Sequence, residues 1–182
     1  ALAAEISGQE ADPWEAPANL IPRGCTYITP AMLPLVELGQ AQIEQIAETV
    51  PGGMANIQDI YPLAPLQEGV LFYHRFHRDN DPYVLSAIVS FASRQQFERF
   101  AWALNRVVAR HDVLRTAVLW EGLSKPVQVV NRTARVELAW ADFSETEKAL
   151  PAGAEDDALA RLTRLTDPAH HRLDVRKAPM LH

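Results

Sequence analysis

A chain of 182 residues, 48% hydrophobic and 22% charged, has room for one domain with a sizeable core and the composition of an ordinary globular protein. Its net charge of -6, with no Lys/Arg-rich block and no basic face interleaved with aromatics, argues against a nucleic-acid binder. No apolar run approaches the length of a membrane span and no charged-then-apolar signal segment opens the chain, so the cytosol is the default compartment. The single cysteine, Cys25, has no disulfide partner and no metal-site spacing; with no base placed beside it in sequence, it reads as a spectator thiol.

Residues 1–36 hold five of the thirteen prolines (Pro13, Pro17, Pro22, Pro30 and Pro34) and little apolar periodicity, which predicts an extended interdomain linker. Trp14 and the stretch 17–24 could still dock on a neighbour. Residues 37–56 form a lead-in: Ile43, Ile46, Ala47 and Val50 mark an amphipathic helix over Gln40 to Val50, stopped by Pro51-Gly52-Gly53. The stretch Tyr61 to His74, YPLAPLQEGVLFYH, organises the rest of the chain. Pro65 suits a first helical turn and Glu68 complements the N-terminal dipole. Leu66, Val70 and Tyr73, widened by Leu63 and Leu71, then predict a core-facing stripe.

After a polar loop from His77 to Pro82, the alternation of Leu85, Ala87, Val89 and Phe91 predicts a strand over Tyr83 to Phe91. Ser93 and Gln96 have capping-box spacing, opening a helix to about Arg110 whose stripe is Phe97, Ala101, Leu104 and Val108, flanked by Phe100 and Val107. Strands are predicted at Ala117 to Trp120, Val127 to Val130 and Val136 to Trp140, and a helix at Glu155 to Leu165. The strand, helix, strand order makes the passage βαβ-like and the fold class α/β.

Two motifs carry the functional reading. The first is PLxPLQxGxLFxH, within Tyr61 to His74; the second is RHDVLRT, Arg110 to Thr116. In that order they resemble the first two core motifs of the condensation domains of nonribosomal peptide synthetases. The first motif departs from the commonest family form, having Ala64 at the Ser position and Gly69 at the Arg position, and resembles the version found in subgroups that work next to epimerised residues. The second is matched at Arg110, His111, Leu114, Arg115 and Thr116. The family's HHxxxDG signature is mimicked by His170-His171 but out of register, since Asp174 comes one residue early and Val175 and Arg176 stand where Asp and Gly are needed. The run 171–181 instead resembles the DLxxAPLL segment that precedes that signature, through Asp174, Ala178, Pro179 and Leu181. His170 and His171 therefore read as surface or loop histidines. There is no GxSxG, phosphate-binding glycine loop or HExxH.

The resemblance, covering about residues 26–182, implies the N-terminal lobe of a chloramphenicol-acetyltransferase-like condensation domain, a mixed sheet with packed helices, incomplete over 57–182. The catalytic motif and C-terminal lobe would lie beyond the chain, which alone is expected to be inactive and to self-associate or to join the missing lobe. The implied reaction is amide formation between substrates on upstream and downstream peptidyl carrier domains, each tethered through phosphopantetheine, with no cofactor or metal bound by the chain itself. Alternatives are an epimerisation or dual domain of the same superfamily, or a non-catalytic docking module. By resemblance Arg110, His111 and Arg115 support the active-site architecture. Their bland readings are a helix-terminal cation for Arg110, a satisfied packing histidine for His111 and a strand-edge surface charge for Arg115. Gln67 and His74 are candidates for lining the substrate tunnel, with a helix-surface role as the default.

Overall fold

A computed structural model of the protein describes residues 17–77, 81–141, 158–167 and 172–181. Helix α1, Gln40–Thr49, opens where the Gln42 side chain accepts from the Gly39 N–H at 2.9 Å, and it buries Ile43, Ile46 and Ala47, with Val50 just beyond its end. Gly52 and Gly53, at φ 89° and 64°, take the left-handed turn that a side chain would resist, and a short 3-10 turn then leads into strand β1, Ile57–Pro62. Helix α2, Pro65–Phe76, begins at the expected proline, and Gln67 Oε1 accepts from the Ala64 N–H at 2.8 Å. Helix α3, Arg94–Arg110, is capped by Ser93, whose hydroxyl accepts from Gln96 N. A 3-10 turn, Asp112–Arg115, connects it to strand β2, Thr116–Leu119; strand β3 is Val127–Asn131 and helix α4 is Ala158–Leu165.

The three strands make one sheet in the order β1-β3-β2, every pairing antiparallel, with Val129 opposite both Ile60 and Ala117. All five residues of the central strand β3 are buried, its three valines together with the polar Gln128 and Asn131. The core lies between the sheet and α1, where Ile43, Ile46, Ile57, Ile60, Leu119 and Val129 meet.

Several expectations are corrected. Residues 17–36 are not an unpacked linker: although they form only a 3-10 turn at Pro30–Met32, Ile21, Ile28 and Leu33 are buried in the same core as α1. Prolines remove backbone donors but leave intervening isoleucines free to pack. Residues 1–16 lie outside the described part. In α2 the buried face is Leu71 and His74, with Leu63 just ahead of the helix, while Leu66 is 81% exposed. Leu63 and Leu71 of the expected stripe are buried as predicted, but the face is not centred on Leu66 and its remaining buried member, His74, is polar.

The strands expected at 83–91 and 136–140 are absent, and so is the βαβ passage. Alternation marks a segment fit to pair but supplies no partner. The outer edge of β2 is instead approached by the stretch 172–181, Val118 N donating to Val175 O at 2.8 Å. The mixed sheet becomes, among the described residues, a purely antiparallel one. Strand β1 was not expected: a bulge between Ile57 and Asp59 breaks its alternation, so Ile57 and Ile60 are both buried three residues apart. Helix α4 matches the end of the expected 155–165 helix, whose first three residues, like His170 and His171, lie outside the described residues. No helix among the described residues is long and apolar enough to cross a membrane.

Candidate functional site

The RHDVLRT motif occupies the corner where α3 ends and β2 begins. Arg110, in the last turn of α3, is exposed, a position favourable to a cation beside the helix C-terminal dipole. His111 is also exposed and caps that helix through its backbone N–H to Val107 O at 3.1 Å, so it is not the packing histidine that its place on the stripe suggested. The helix ends at this residue, whose backbone is extended at φ -108° and ψ 116°.

Arg115 is the opposite case. It is 5% exposed, and its guanidinium is held by three neighbours: Nη1 donates to Asn131 O and, at 3.1 Å, to Gln58 Oε1, while Nη2 donates to Asp112 Oδ1. Gln58 Nε2 in turn donates to Asp112 Oδ2 at 2.6 Å, and Thr116 Oγ1 donates to the Asp112 backbone carbonyl at 2.8 Å. The strand-edge surface charge is therefore overturned. The planar fork meets one carboxylate and two neutral acceptors at fixed angles, an arrangement a lysine could not copy. Arg115 Nε and Asn131 Oδ1 are buried and have no partner among the described residues.

Beside this cluster stands Asp59. Burial raises its carboxyl pKa above the ordinary value and the nearby Asp112 adds to the rise, opposed by the Ile60 N–H donating to Oδ1 at 2.8 Å. Asp112, Gln58 and Asn131 were not singled out from sequence. Asp112 had a usable signal, an acidic residue three before an arginine within one helical turn. Gln58 had none, because the bulge that aims it is a tertiary feature.

A second polar cluster lies on α2. His74 Nδ1 is 2.6 Å from Asp81 Oδ2, and Asp81 Oδ1 accepts from Tyr83 N at 3.0 Å. Histidine and aspartate are 5% and 7% exposed, so the default helix-surface role of His74 is wrong. A carboxylate can only accept, so Nδ1 carries the hydrogen in this contact. Gln67 is exposed at the other end of the helix, where it exchanges side-chain hydrogen bonds with Gln128 of β3 at 3.0 to 3.2 Å. Gln67, His74 and Arg115 are thus not neighbours in one constellation: the structure brings Arg115 together with Gln58, Asp112 and Asn131, and His74 together with Asp81.

A shallow cavity of about 180 Å³ is bordered by Gln45, Thr49, Leu119, Trp120, Asp174 and Arg176. Its rim carries an ion-pair ladder in which Arg176 spans Asp174 at 2.8 Å and Glu121 at 3.1 Å. The Arg176 hydrogen bond holds the Asp174 carboxyl below its ordinary pKa. Cys25, half-buried, donates to Tyr27 O at 3.1 Å. Among the described residues no group of acidic, histidine or cysteine side chains is placed to hold a metal ion.

The chain is 47% identical to malpinin synthetase of Mortierella alpina over 166 residues, which is 91% of this chain but 2% of that protein. It is 41% identical to malpibaldin synthetase of the same organism over 98% of this chain and 3% of that protein. With a linear gramicidin synthase of Brevibacillus parabrevis it shares 34% identity over 84% of this chain and, again, 3% of that protein. The chain thus spans a few hundredths of the length of these relatives. The family model described as the condensation domain matches residues 57–181, from the start of β1 to the end of the described stretch. On that match, and on the motif pair that resembles the condensation domains of nonribosomal peptide synthetases, this chain belongs to the condensation-domain family.

Proposed function

We propose that residues 57–181 supply the N-terminal, chloramphenicol-acetyltransferase-like lobe of a domain that forms amide bonds between carrier-tethered thioesters. The observation that carries this reading is the burial of Arg115, inside a motif of the family, in a prepared nest of three acceptors. A guanidinium fixed this firmly at a helix-to-strand corner is suited to hold a reaction centre in place rather than to react. In the reaction proposed, the amine of a downstream aminoacyl thioester attacks the carbonyl carbon of an upstream peptidyl thioester, the C–S bond breaks and the thiol leaves with the proton that the amine gives up. Phosphopantetheine belongs to the carrier-borne substrates, and tethering both of them makes proximity the main catalytic contribution. HHxxxDG is not among these 182 residues, so the chain's own share is architectural and the isolated chain is inactive in this reading.

The partners proposed are the two carrier domains and a second lobe. Apolar side chains that a solitary domain would hide are open on the surface, among them Leu66, Phe72, Phe76 and Leu85, with exposures from 70% to 88%. A second lobe, or failing that another copy of the chain, would cover part of them.

The test uses a synthetase carrying this domain, with donor and acceptor carriers loaded and products identified by mass spectrometry. Arg115→Ala is expected to lower amide formation by about ten- to a hundredfold, the range for a residue that supports the reacting groups from behind, and Arg115→Lys to restore little of it. Epimerised but uncoupled product would move the assignment to an epimerisation domain. Undiminished coupling in Arg115→Ala, with carrier binding lost when this region is deleted, would make it a docking module.

A further inference from the structure

We infer that Gln58 is a positioning residue for Arg115, and that the upstream segment Asn19 to Pro22 holds the bulge that aims it. The inference rests on the reading of Arg115 as a support of the reaction, and begins from the ladder between β1 and β3. Ile57 stands opposite Asn131 and Asp59 opposite Val130, so Gln58 is an extra residue with no partner across the ladder. A bulge of this kind re-aims a side chain. Here it sends the amide of Gln58 out to the 3-10 turn that carries Asp112 and Arg115.

The chemistry of that amide suits the place. An ion pair presents one acceptor and one donor side by side, and a carboxamide presents the complement. Gln58 Oε1 accepts from Arg115 Nη1 at 3.1 Å while Nε2 donates to Asp112 Oδ2 at 2.6 Å, closing a ring around the Asp112–Arg115 pair. A carboxylate at this position would satisfy the arginine and repel the aspartate; an apolar side chain would serve neither.

The bulge itself is held from upstream. Asn19 Nδ2 donates to the Gln58 backbone carbonyl at 2.9 Å, and Asn19 Oδ1 accepts from Ile21 N at 2.8 Å. Ile21 is 5% exposed, and Arg132, just past the end of β3, donates to the carbonyls of Ile21 and Pro22 at 3.1 and 2.8 Å. The segment ahead of the family match is therefore tied at both strands of the bulge, and the tie reaches Arg115 through a single side chain.

Arg115 Nε gives the readout, since it is buried without a partner among the described residues and its hydrogen exchanges only when the guanidinium loosens. The experiment follows Nε–H exchange of Arg115 by NMR in the 182-residue chain, against the backbone amide of Val129 as internal reference. Gln58→Met and Asn19→Ala are each expected to speed exchange at Arg115 by about tenfold with Val129 unchanged, a local opening rather than a global one. Gln58→Glu, which keeps the shape and loses the donor, is expected to do the same. In a synthetase carrying the domain, Gln58→Met is expected to lower kcat by about tenfold at constant KM, the signature of an interaction that matters in the transition state. Exchange at Arg115 that is unaltered, or that rises in step with Val129, overturns the positioning role. Exchange that rises at Arg115 alone while kcat stays at its original value overturns instead the reading of Arg115 as a support of the reaction.

Discussion

His74 and Asp81 stand seven residues apart in sequence and 2.6 Å apart in space, and both are almost wholly removed from solvent. The pair ties the last turn of α2 to the chain beyond it, because the second Asp81 oxygen accepts from Tyr83 N and the His74 backbone carbonyl accepts from Arg172. Polar groups this deeply buried cost free energy unless each finds a partner.

The first expected outcome comes directly from that pairing. Asp81→Ala strands an imidazole N–H and the Tyr83 amide together, and should cost about 1–3 kcal/mol, the desolvation penalty of a buried group left unsatisfied. Asp81→Asn keeps an oxygen for Tyr83 and should cost less. Urea unfolding midpoints compare the two; equal midpoints for Asp81→Ala and the wild type would mean that water reaches the site.

A second outcome concerns which half of the Asp112–Arg115 pair the fold tolerates losing. The Arg115 side chain is 6% exposed and that of Asp112 is 52% exposed. Arg115→Met removes the buried charge and leaves a carboxylate that water can solvate, whereas Asp112→Ala leaves a buried guanidinium with only neutral acceptors. Asp112→Ala should therefore be the more destabilising, by about 1–2 kcal/mol, since hydrogen bonds to charged groups are worth somewhat more than neutral ones. The reverse order in thermal unfolding would show that Arg115 is solvated in a way its burial does not suggest.

How far the sequence foretold these sites depends on what holds them. Helices α1 and α3 were readable to within a residue because their starts and stops are local: Gly39 and Gly52 bracket one, Ser93 and His111 the other. The buried set Ile43, Ile46, Ala47 and Val50 also came from spacing alone. Arg115 was singled out through its motif, but the motif contains only one of its three hydrogen-bond partners; Gln58 and Asn131 come from two other strands. The strand expected at 83–91 failed for the converse reason. Its alternation is real, yet Leu85 and Val89 are 88% and 57% exposed because no described strand lies alongside.

Asp59 supplies a dependence on pH. Burial, and then the charge of Asp112, raise its folded pKa above the unfolded carboxyl value of 3.8. Between these two values the folded state holds more protons than the unfolded one, so stability falls as pH rises through that interval, and above it the ionised Asp59 is a standing cost. Asp59→Asn retains an oxygen for the Ile60 N–H and removes the charge. The variant should be more stable than the wild type at pH 7, with the difference shrinking as pH drops below the folded value. A variant less stable than the wild type at pH 7 would mean that the ionised carboxylate makes a favourable contact that outweighs its burial.

The last outcome separates a packed upstream segment from a linker. Ile28 is fully buried, and the Gln40 side chain donates to its carbonyl at 3.2 Å, joining the segment to the first turn of α1. An isoleucine that fills a core in this way should cost about 2–5 kcal/mol when cut to alanine, while a linker residue should cost almost nothing. Ile28→Ala is thus expected to lower the unfolding midpoint as much as Ile43→Ala does in α1. Amide exchange gives the independent check: the Leu33 and Met32 amides, which donate to Pro30 O and Thr29 O at 3.0 Å, should be protected at a level comparable with α1. If Ile28→Ala leaves the midpoint where it was and those amides exchange at unprotected rates, the prolines decide the behaviour of residues 17–36 and their buried side chains do not.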